Sequence, residues 1–469
     1  MGHNSKNQSE ERSRRAFLWH GLGTSAGVAG LSLAGCLGGD GNGGGGDGGG
    51  GATGGGGGDE TTGGGAMTDG DGGTAGDGGT PDDGGTSDGG TAGGGGGGSL
   101  RVPGLYDISG ATADVGRPTA IGSRDFITYL NENDVLGRQI EHPNQDYAYE
   151  VPQAKQLFDE YTSPNEPPII IGWGTADTEA LASQVAEMEI VYISASYAAS
   201  LLEEATSYNF FGNLDYTSQV RSHIKWIADN DSGATVGFIY PNNPFGESPI
   251  EGGRQYAEEL GLEVADDINL PLDANSARTQ VQRARQNDVQ YLIHHSTAAP
   301  MQVLLQDVYP ELTVMGTTYT VDEFRVNQSP ELFEGVRYAS GFKTFAESLE
   351  SDGRGAEAIQ ASFEREGRST DNPEVANLNY VRGIIHGLIM IKGIREAIDL
   401  DLDPSMGSNV RQGLFETDGW DVWGLAEPFT YEEGDRRPTM NGRLYEVTDG
   451  TMEFDTTIEL PRREEWIGL

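Results

Sequence analysis

One stretch, residues 168–197, constrains the fold of this chain more strongly than any other. It opens with three isoleucines, 169–171, a run of the length of a buried parallel strand, and a Gly-Trp-Gly-Thr turn ends that run. Apolar side chains then recur at helical spacing up to Met188, and the apolar run 190–193 begins a second buried strand. The stretch is therefore predicted to be a strand–helix–strand unit of a parallel α/β sheet, where ligands bind beyond the carboxyl ends of the strands.

The same alternation of strand-like and helix-like segments occurs twice along the chain. It is interrupted near residue 212, begins again and continues to residue 315, whereas the part after residue 425 is predicted to be irregular with short strands. Two such halves indicate two doubly wound parallel-sheet lobes joined by a hinge. The predicted boundaries are 99–212 with 340–428 for lobe 1, and 213–339 with 429–469 for lobe 2.

The first 36 residues are predicted to be an export signal rather than part of the fold. Ser13-Arg14-Arg15 followed by Ala-Phe-Leu is a twin-arginine pattern, and Leu33-Ala34-Gly35-Cys36 matches a lipobox. The chain has one cysteine, which excludes an internal disulfide, so Cys36 is predicted to carry a lipid. The alternative is an uncleaved anchor with an incidental thiol. Lipidation would hold the protein at the outer face of the cytoplasmic membrane.

Residues 37–98 are predicted to be a disordered linker, because Gly, Asp, Thr and Ala cannot bury enough apolar surface to offset the entropy of ordering. A Gly-rich chain of this length spans roughly 45 Å. The formal charge of the whole chain is −43. Acidic residues spread along the chain indicate a halophilic extracellular surface, since an acidic patch for a basic partner would be clustered. This charge disfavours nucleic acid as a partner.

Signals of catalysis or metal binding are weak. The two G-x-S-x-G matches, around Ser25 and Ser87, fall in the predicted signal and linker. Asp177 stands where a dinucleotide-binding loop needs its third glycine, and His294 and His295 point to opposite faces of a predicted strand. No catalytic residue, cofactor or metal is predicted. Glycosylation sequons begin at Asn230 and Asn327.

Several short motifs occur in a characteristic order over residues 99–450. They are Ser109-Gly110, Asp146-Tyr147, Pro152-Gln153-Ala154, Ile171-Gly172 with Thr175, Tyr192-Ile193-Ser194, Ile239-Tyr240 with Phe245-Gly246, and the segment 294–297. In this order the chain resembles the leucine/isoleucine/valine-binding proteins, the type I periplasmic binding proteins of amino-acid ABC importers. The resemblance implies two α/β lobes joined by three crossover strands that close on a ligand.

The resemblance also implies a set of ligand-binding residues. In lobe 1, hydroxyls and backbone N–H groups at Ser109, Thr175, Ala176, Ser196 and Tyr197 would bind a carboxylate, unless Thr175 and Ser196 only cap helices. Trp173, Tyr197 and Phe245 would supply apolar walls.

Three positions depart from the family pattern. Thr318 stands where the family has its ammonium-binding carboxylate, and Thr297 and Val115 replace aromatic residues. An ammonium in a dry cleft needs an opposing charge, which only Asp322 or Glu323 could supply nearby. A branched-chain amino acid is therefore expected, with amides, urea and aromatic compounds left open.

The sequence thus predicts an extracellular, lipid-anchored solute-binding protein of an ABC importer. Its partners would be a small solute, an ABC permease and, through Cys36, the membrane. One rival is an extracellular α/β enzyme, which would need a titratable cluster in the cleft. The other is a ligand-sensing surface protein on the same fold.

Overall fold

The computed structural model describes residues 98–469, which fold around two large β-sheets. The predicted signal with Cys36, and the predicted linker apart from Gly98, lie outside these residues. Among the residues described, no helix combines the length and apolar character needed to cross a membrane.

The first sheet has five parallel strands in the order β4-β2-β5-β6-β7. A short pair, β1 with β3, lies beside it. Helices α1 to α3 connect these strands. The elements are β1 (Leu100–Arg101), β2 (Gly104–Tyr106), α1 (Ala113–Glu132), β3 (Ile140–Glu141), β4 (Asn144–Asp146), α2 (Val151–Thr162), β5 (Ile169–Gly172), α3 (Thr175–Glu187), β6 (Val191–Ser194) and β7 (Asn209–Phe211).

The second sheet has eight strands, and its part from β8 to β13 is parallel. Strand β9 pairs only with β8, and the remaining order is β10-β8-β11-β12-β13-β14-β15. The elements up to β13 are α4 (Tyr216–Asn230), β8 (Thr235–Tyr240), α5 (Pro244–Glu247), α6 (Ile250–Glu259), β9 (Glu263–Val264), β10 (Ile268–Asn269), α7 (Arg278–Gln286), β11 (Tyr291–His294), α8 (Ala298–Leu305), β12 (Thr313–Gly316), α9 (Glu323–Gln328), α10 (Pro330–Phe333) and β13 (Arg337–Ser340).

After β13 the chain returns to the first sheet and then crosses back. The returning helices are α11 (Phe345–Leu349), α12 (Arg354–Arg365), α13 (Leu378–Asp399) and α14 (Gly407–Leu414). Strands β14 (Asn441–Thr448) and β15 (Thr451–Glu459) then form an antiparallel hairpin at the edge of the second sheet. The two doubly wound lobes predicted from the sequence are confirmed, although the C-terminal part is a regular hairpin rather than irregular chain.

Helix α13 is the central helix of the first lobe. Almost all of its 22 residues are buried, and it packs along α1. The two helix axes come close together because each contributes a glycine to the contact: a β-carbon on Gly122 would lie 2.1 Å from the Tyr380 carbonyl oxygen, and one on Gly383 would lie 2.1 Å from that of Thr119. The first lobe is thus completed by a helix from the far end of the chain.

Three chain segments run side by side between the sheets. The Asn213 side chain accepts a hydrogen bond from the Gly341 N–H group, and the Gly341 carbonyl oxygen accepts one from the Glu427 N–H group. Phe342 and Ala426 form an isolated antiparallel bridge at the same place. These segments pass close to the boundaries predicted at 212, 340 and 428, and they form the hinge.

Candidate functional site

A cavity lies between the lobes, at the carboxyl ends of the central strands. From the first lobe it is lined by Thr112, Val115, Tyr149, Trp173, Thr175 and Ala195, together with Gly174. Tyr216, Phe245, Thr297 and Tyr319 line it from the hinge and the second lobe. This is the position at which parallel α/β sheets bind their ligands.

The loop between β5 and α3 is fixed by a buried carboxyl group. Asp177, in the first turn of α3, accepts hydrogen bonds from the Tyr147 hydroxyl at 2.8 Å and from the Gly174 N–H group at 3.3 Å. Burial raises the pKa of Asp177 to about 7, and these two hydrogen bonds oppose part of that shift. The loop therefore presents Trp173 and Thr175 to the cavity on a fixed backbone.

The hydroxyls of Thr175 and Ser196 form a buried pair, 2.7 Å apart. Ser196 is positioned by its own N–H group, which donates to the Ser194 hydroxyl at 2.9 Å. Two hydroxyls bring two protons, and the bond between them uses one. The other proton remains to be donated, at the N-terminus of the 13-residue helix α3, where backbone N–H groups also face an incoming acceptor.

Aromatic rings form most of the cavity wall. The Trp173 indole donates to the Thr112 hydroxyl at 2.8 Å, and its ring meets Tyr319 edge to face at 6.0 Å between centroids. Phe245 packs at a steep angle against Tyr216, 5.5 Å away, and against Tyr319, 6.1 Å away. Such edge-to-face packing fixes the rings against one another, so the wall is rigid.

The predicted site residues fall into two groups. The structure places Trp173, Thr175, Phe245 and Thr297 on the cavity, and Ser196 directly behind Thr175. Tyr197 does not line it: the ring is fully buried and stacks on Tyr319 at 6.1 Å. Ala176 is half-buried in α3, and Ser109 is exposed on the loop after β2.

Thr318 and Asp322 also lie outside the cavity wall. The N–H group of Thr318 donates to the Gln219 side chain at 2.9 Å, and its hydroxyl donates to Ser340. Asp322 is the N-cap of α9, where its carboxyl group accepts from the Arg325 N–H group at 2.8 Å. Because that carboxyl is engaged in capping, the expected replacement for the missing ammonium partner does not reach the cavity. Burial raises the pKa of Asp322 to about 7.

His295 supports the wall from behind. Its ring nitrogens lie 2.8 Å from the Thr317 hydroxyl and 2.9 Å from the Phe245 carbonyl oxygen, and the ring packs on Phe245 and Tyr216. Burial lowers the pKa of His295 to about 3, so the ring is neutral. Within residues 98–469, no group of three His, Cys, Asp or Glu side chains could hold a metal ion.

Sequence reasoning missed four lining residues: Thr112, Tyr149, Tyr216 and Tyr319. Each lies in a loop or first helical turn beyond a strand end, and this position in the sequence was the one indication that it could line a ligand site. Nothing in the local sequence shows which loop aromatic faces the cleft, since that depends on how the second lobe is placed against the first.

Several hydrogen bonds join the lobes, among them one from Tyr319 and one to Asp114. The Tyr319 hydroxyl donates to the Ala195 carbonyl oxygen at 2.6 Å, and the Ala299 N–H group donates to the Asp114 carboxyl group at 3.3 Å. Burial raises the pKa of Asp114, while nearby Arg325 opposes this. The lobes are thus in contact, with the cavity between them.

The buried Asp177 leads to a prediction about pH. A carboxyl group whose pKa is higher in the folded than in the unfolded protein stabilises the fold at low pH, and that contribution is lost as the pH rises towards about 7. Between pH 4 and 8, wild type should therefore lose on the order of 3 kcal/mol of unfolding free energy relative to Asp177→Asn. Denaturant titrations at fixed salt would measure this. Exposed Asp229→Asn controls for the lost charge, and parallel wild-type and Asp177→Asn curves would contradict the prediction.

Two α/β lobes, three crossing segments and a ring-lined cavity between them define the class: a two-lobed solute-binding protein. The sequence profile of the periplasmic binding proteins matches residues 99–451, and the chain belongs to that family. The family's fold is a solute-binding one. No curated protein matches the chain.

Solved structures of the same fold agree. An ABC transporter substrate-binding protein from Aeropyrum pernix is 26% identical, with a TM-score of 0.73 over 79% of this chain and 98% of that one. A branched-chain amino acid ABC transporter protein from Thermus thermophilus with bound valine is 22% identical, with a TM-score of 0.72 over 77% and 97%. A solute-binding protein of an ABC transporter from Rhodopseudomonas palustris in complex with p-hydroxybenzoic acid is 18% identical, with a TM-score of 0.64 over 77% and 97%.

Proposed function

We propose that the protein is the solute-binding receptor of an ABC importer, and that it binds one small organic solute by closure of its lobes. The observation that carries this proposal is the cavity between the lobes, which has hydroxyls and the α3 N-terminus at one side and rings around the rest. We propose a compact molecule as the solute, such as an amino acid or amide. Two of the relatives above have valine and p-hydroxybenzoic acid bound.

The receptor would present its closed form to a permease without changing the solute. We propose no bond chemistry, because the lining residues are aromatic, small or hydroxyl-bearing and include no acid–base pair. Turnover of a bound compound would instead favour an extracellular enzyme.

We further propose that the receptor works at the cell surface of a halophile. The twin-arginine pattern and lipobox support export and lipidation at Cys36, and the 37–98 linker would give the lobes reach to the permease. The formal charge of −43 supports a surface adapted to high salt. Neither the membrane nor nucleic acid is proposed as a ligand of the lobes.

Closure is tested by removing one bond between the lobes. Tyr319→Phe deletes the hydroxyl that donates to Ala195, which destabilises the closed form by about 1 kcal/mol and should weaken solute affinity roughly fivefold. Isothermal calorimetry in high salt, with small-angle scattering to follow the lobes, would measure both effects.

The matched control is Tyr161→Phe, which removes a hydroxyl–carbonyl bond to Gly104 within one lobe. It should leave both the affinity and the degree of closure unchanged. A receptor that binds solute with no change in scattering would contradict closure, and equal losses in the two variants would contradict the role of Tyr319.

A further inference from the structure

The walls of the cavity offer no carboxylate to a positively charged ammonium group. No Asp, Glu, Lys, Arg or His is among the lining residues of the described chain. Removing an ammonium ion from water costs several kcal/mol unless a carboxylate or several acceptors replace the water. A zwitterionic amino acid would have to meet this cost with ring faces and hydroxyl oxygens alone.

A backbone carbonyl oxygen on the cavity wall that could accept from an ammonium group already accepts hydrogen bonds from the protein. The Ala195 carbonyl oxygen, on the cavity wall, accepts hydrogen bonds from the Tyr319 hydroxyl at 2.6 Å and from the Tyr216 hydroxyl at 3.3 Å. A carbonyl oxygen has two lone pairs, and these two bonds occupy both. An ammonium would therefore have to displace the bond that also joins the lobes.

Donors, in contrast, are available for an anion. The Thr175–Ser196 pair retains one hydroxyl proton, and the first turn of α3 presents backbone N–H groups beside it. Thr175 faces the cavity, so both kinds of donor converge on one end of it.

A buried guanidinium group, that of Arg382, lies behind one ring of the cavity wall. Arg382 is 0% exposed, its guanidinium lies 3.9 Å from the centroid of the Tyr319 ring, and its Nε has no hydrogen-bond partner in the described chain. Its other nitrogens bond to neutral groups, the Asn379 side chain and Thr318. Within the part of the chain that the structure covers, Arg382 forms no direct ion pair, although its charge also acts on the buried carboxyl group of Glu323.

Buried acids near the cleft are engaged elsewhere. Glu323 accepts from the N–H groups of Phe345 and Leu378, and Asp107 accepts from Gly110 and from Thr112. Neither acid, nor Asp177 or Asp322, lines the cavity.

We infer that the solute is a small carboxylate whose remaining part is uncharged, an organic acid rather than an amino acid. Its carboxylate would lie at Thr175 and the α3 N-terminus, and its apolar part between Trp173, Tyr216 and Phe245. Arg382, behind the Tyr319 ring, acts as a positioning residue whose buried positive charge favours an anion in the cavity. This inference rests on the proposed receptor function and narrows it to one class of solute.

The test compares matched pairs that differ only in the ammonium group. Calorimetry of the full chain in high salt would use leucine against 4-methylpentanoate, and phenylalanine against 3-phenylpropanoate. We expect the acid of at least one pair to bind 10-fold or more tightly than its amino acid. If in neither pair the acid binds more tightly than its amino acid, the inference is overturned.

Binding of uncharged solutes distinguishes a failure of the carboxylate assignment from a failure of the receptor function. If isobutyramide or urea binds and the acids do not, the receptor function stands and the carboxylate assignment is wrong. If no compound in the whole panel binds, both fall.

Three variants test where the carboxylate of the solute lies and whether the positive charge of Arg382 contributes to binding. Thr175→Val should weaken acid binding at least 10-fold but leave the folded spectrum unchanged. Arg382→Gln should also weaken it about 10-fold, whereas Arg382→Lys, which keeps the charge but not the guanidinium geometry, should restore most of the affinity. Equal losses of affinity in Arg382→Lys and Arg382→Gln would show that Arg382 contributes packing and not charge. Unaltered binding in Thr175→Val would overturn the placement of the carboxylate.

Discussion

Gly383→Ala should lower the midpoint of thermal unfolding of the protein. The added β-carbon would lie 2.1 Å from the Thr119 carbonyl oxygen and 2.5 Å from the Ser123 nitrogen, both backbone atoms of α1 that cannot turn aside. The two helices must therefore separate. Overpacking of this kind costs about 3 kcal/mol, which corresponds to roughly 5 °C in a protein of this size.

Two further variants make this prediction specific. Gly434→Ala is the matched control, because a β-carbon there meets nothing within 4 Å, and its midpoint should stay within about 1 °C of wild type. The added β-carbon of Gly122→Ala would clash with the Tyr380 backbone in the same helix contact. The midpoint of the double variant should therefore fall by less than the sum of the two single decreases. Calorimetric scans would show this, and an unchanged midpoint in Gly383→Ala would contradict the close approach of α1 and α13.

Trp173→Ala should have the largest effect on solute binding. The indole is 4% exposed, lies on the cavity wall and is fixed by its hydrogen bond to Thr112 and by its contact with Tyr319. Truncating a buried aromatic residue at a binding site typically costs about 2–4 kcal/mol. We therefore expect affinity to fall roughly 100-fold while the fold is retained.

The role of the Trp173 ring is separable from that of its N–H group. Trp173→Phe keeps an aromatic wall but loses the bond to Thr112, and should cost about 1 kcal/mol, or roughly fivefold in affinity. Trp226→Ala serves as the control, because that ring packs on Arg337 and Tyr291 away from the cavity. Titrations that show equal affinity for wild type and Trp173→Ala would place the solute elsewhere.

Much of the fold followed from local patterns in the sequence. The strand–helix–strand unit predicted from residues 168–197 appears as β5, α3 and β6, because its apolar runs have strand length and its helix has a clear start. The C-terminal hairpin was not anticipated. Strand β15 is mostly exposed or half-exposed at the sheet edge. Its residue pattern therefore does not predict a strand unless its pairing with the neighbouring β14 is known.

The candidate site could be predicted only in part, for a similar reason. Residues that follow strand ends within one βαβ unit, Trp173 and Thr175, lie on the cavity as their position in the sequence suggested. Tyr216 and Tyr319 reach it through the hinge and the closure of the second lobe, which no local pattern encodes. Asp322 was proposed from its charge, but a carboxyl group placed before a helix is more readily used as a cap.

The late position of α13 in the chain has a consequence for biogenesis. When β7 of the first lobe leaves the ribosome, the helix that must cover α1 has yet to be synthesised, and most of the second lobe comes between them. Domains usually fold as units during translation, but here the first half of the polypeptide must wait for the last third. A chain with such non-local contacts folds slowly, which would be compatible with the export of folded protein that the twin-arginine pattern predicts.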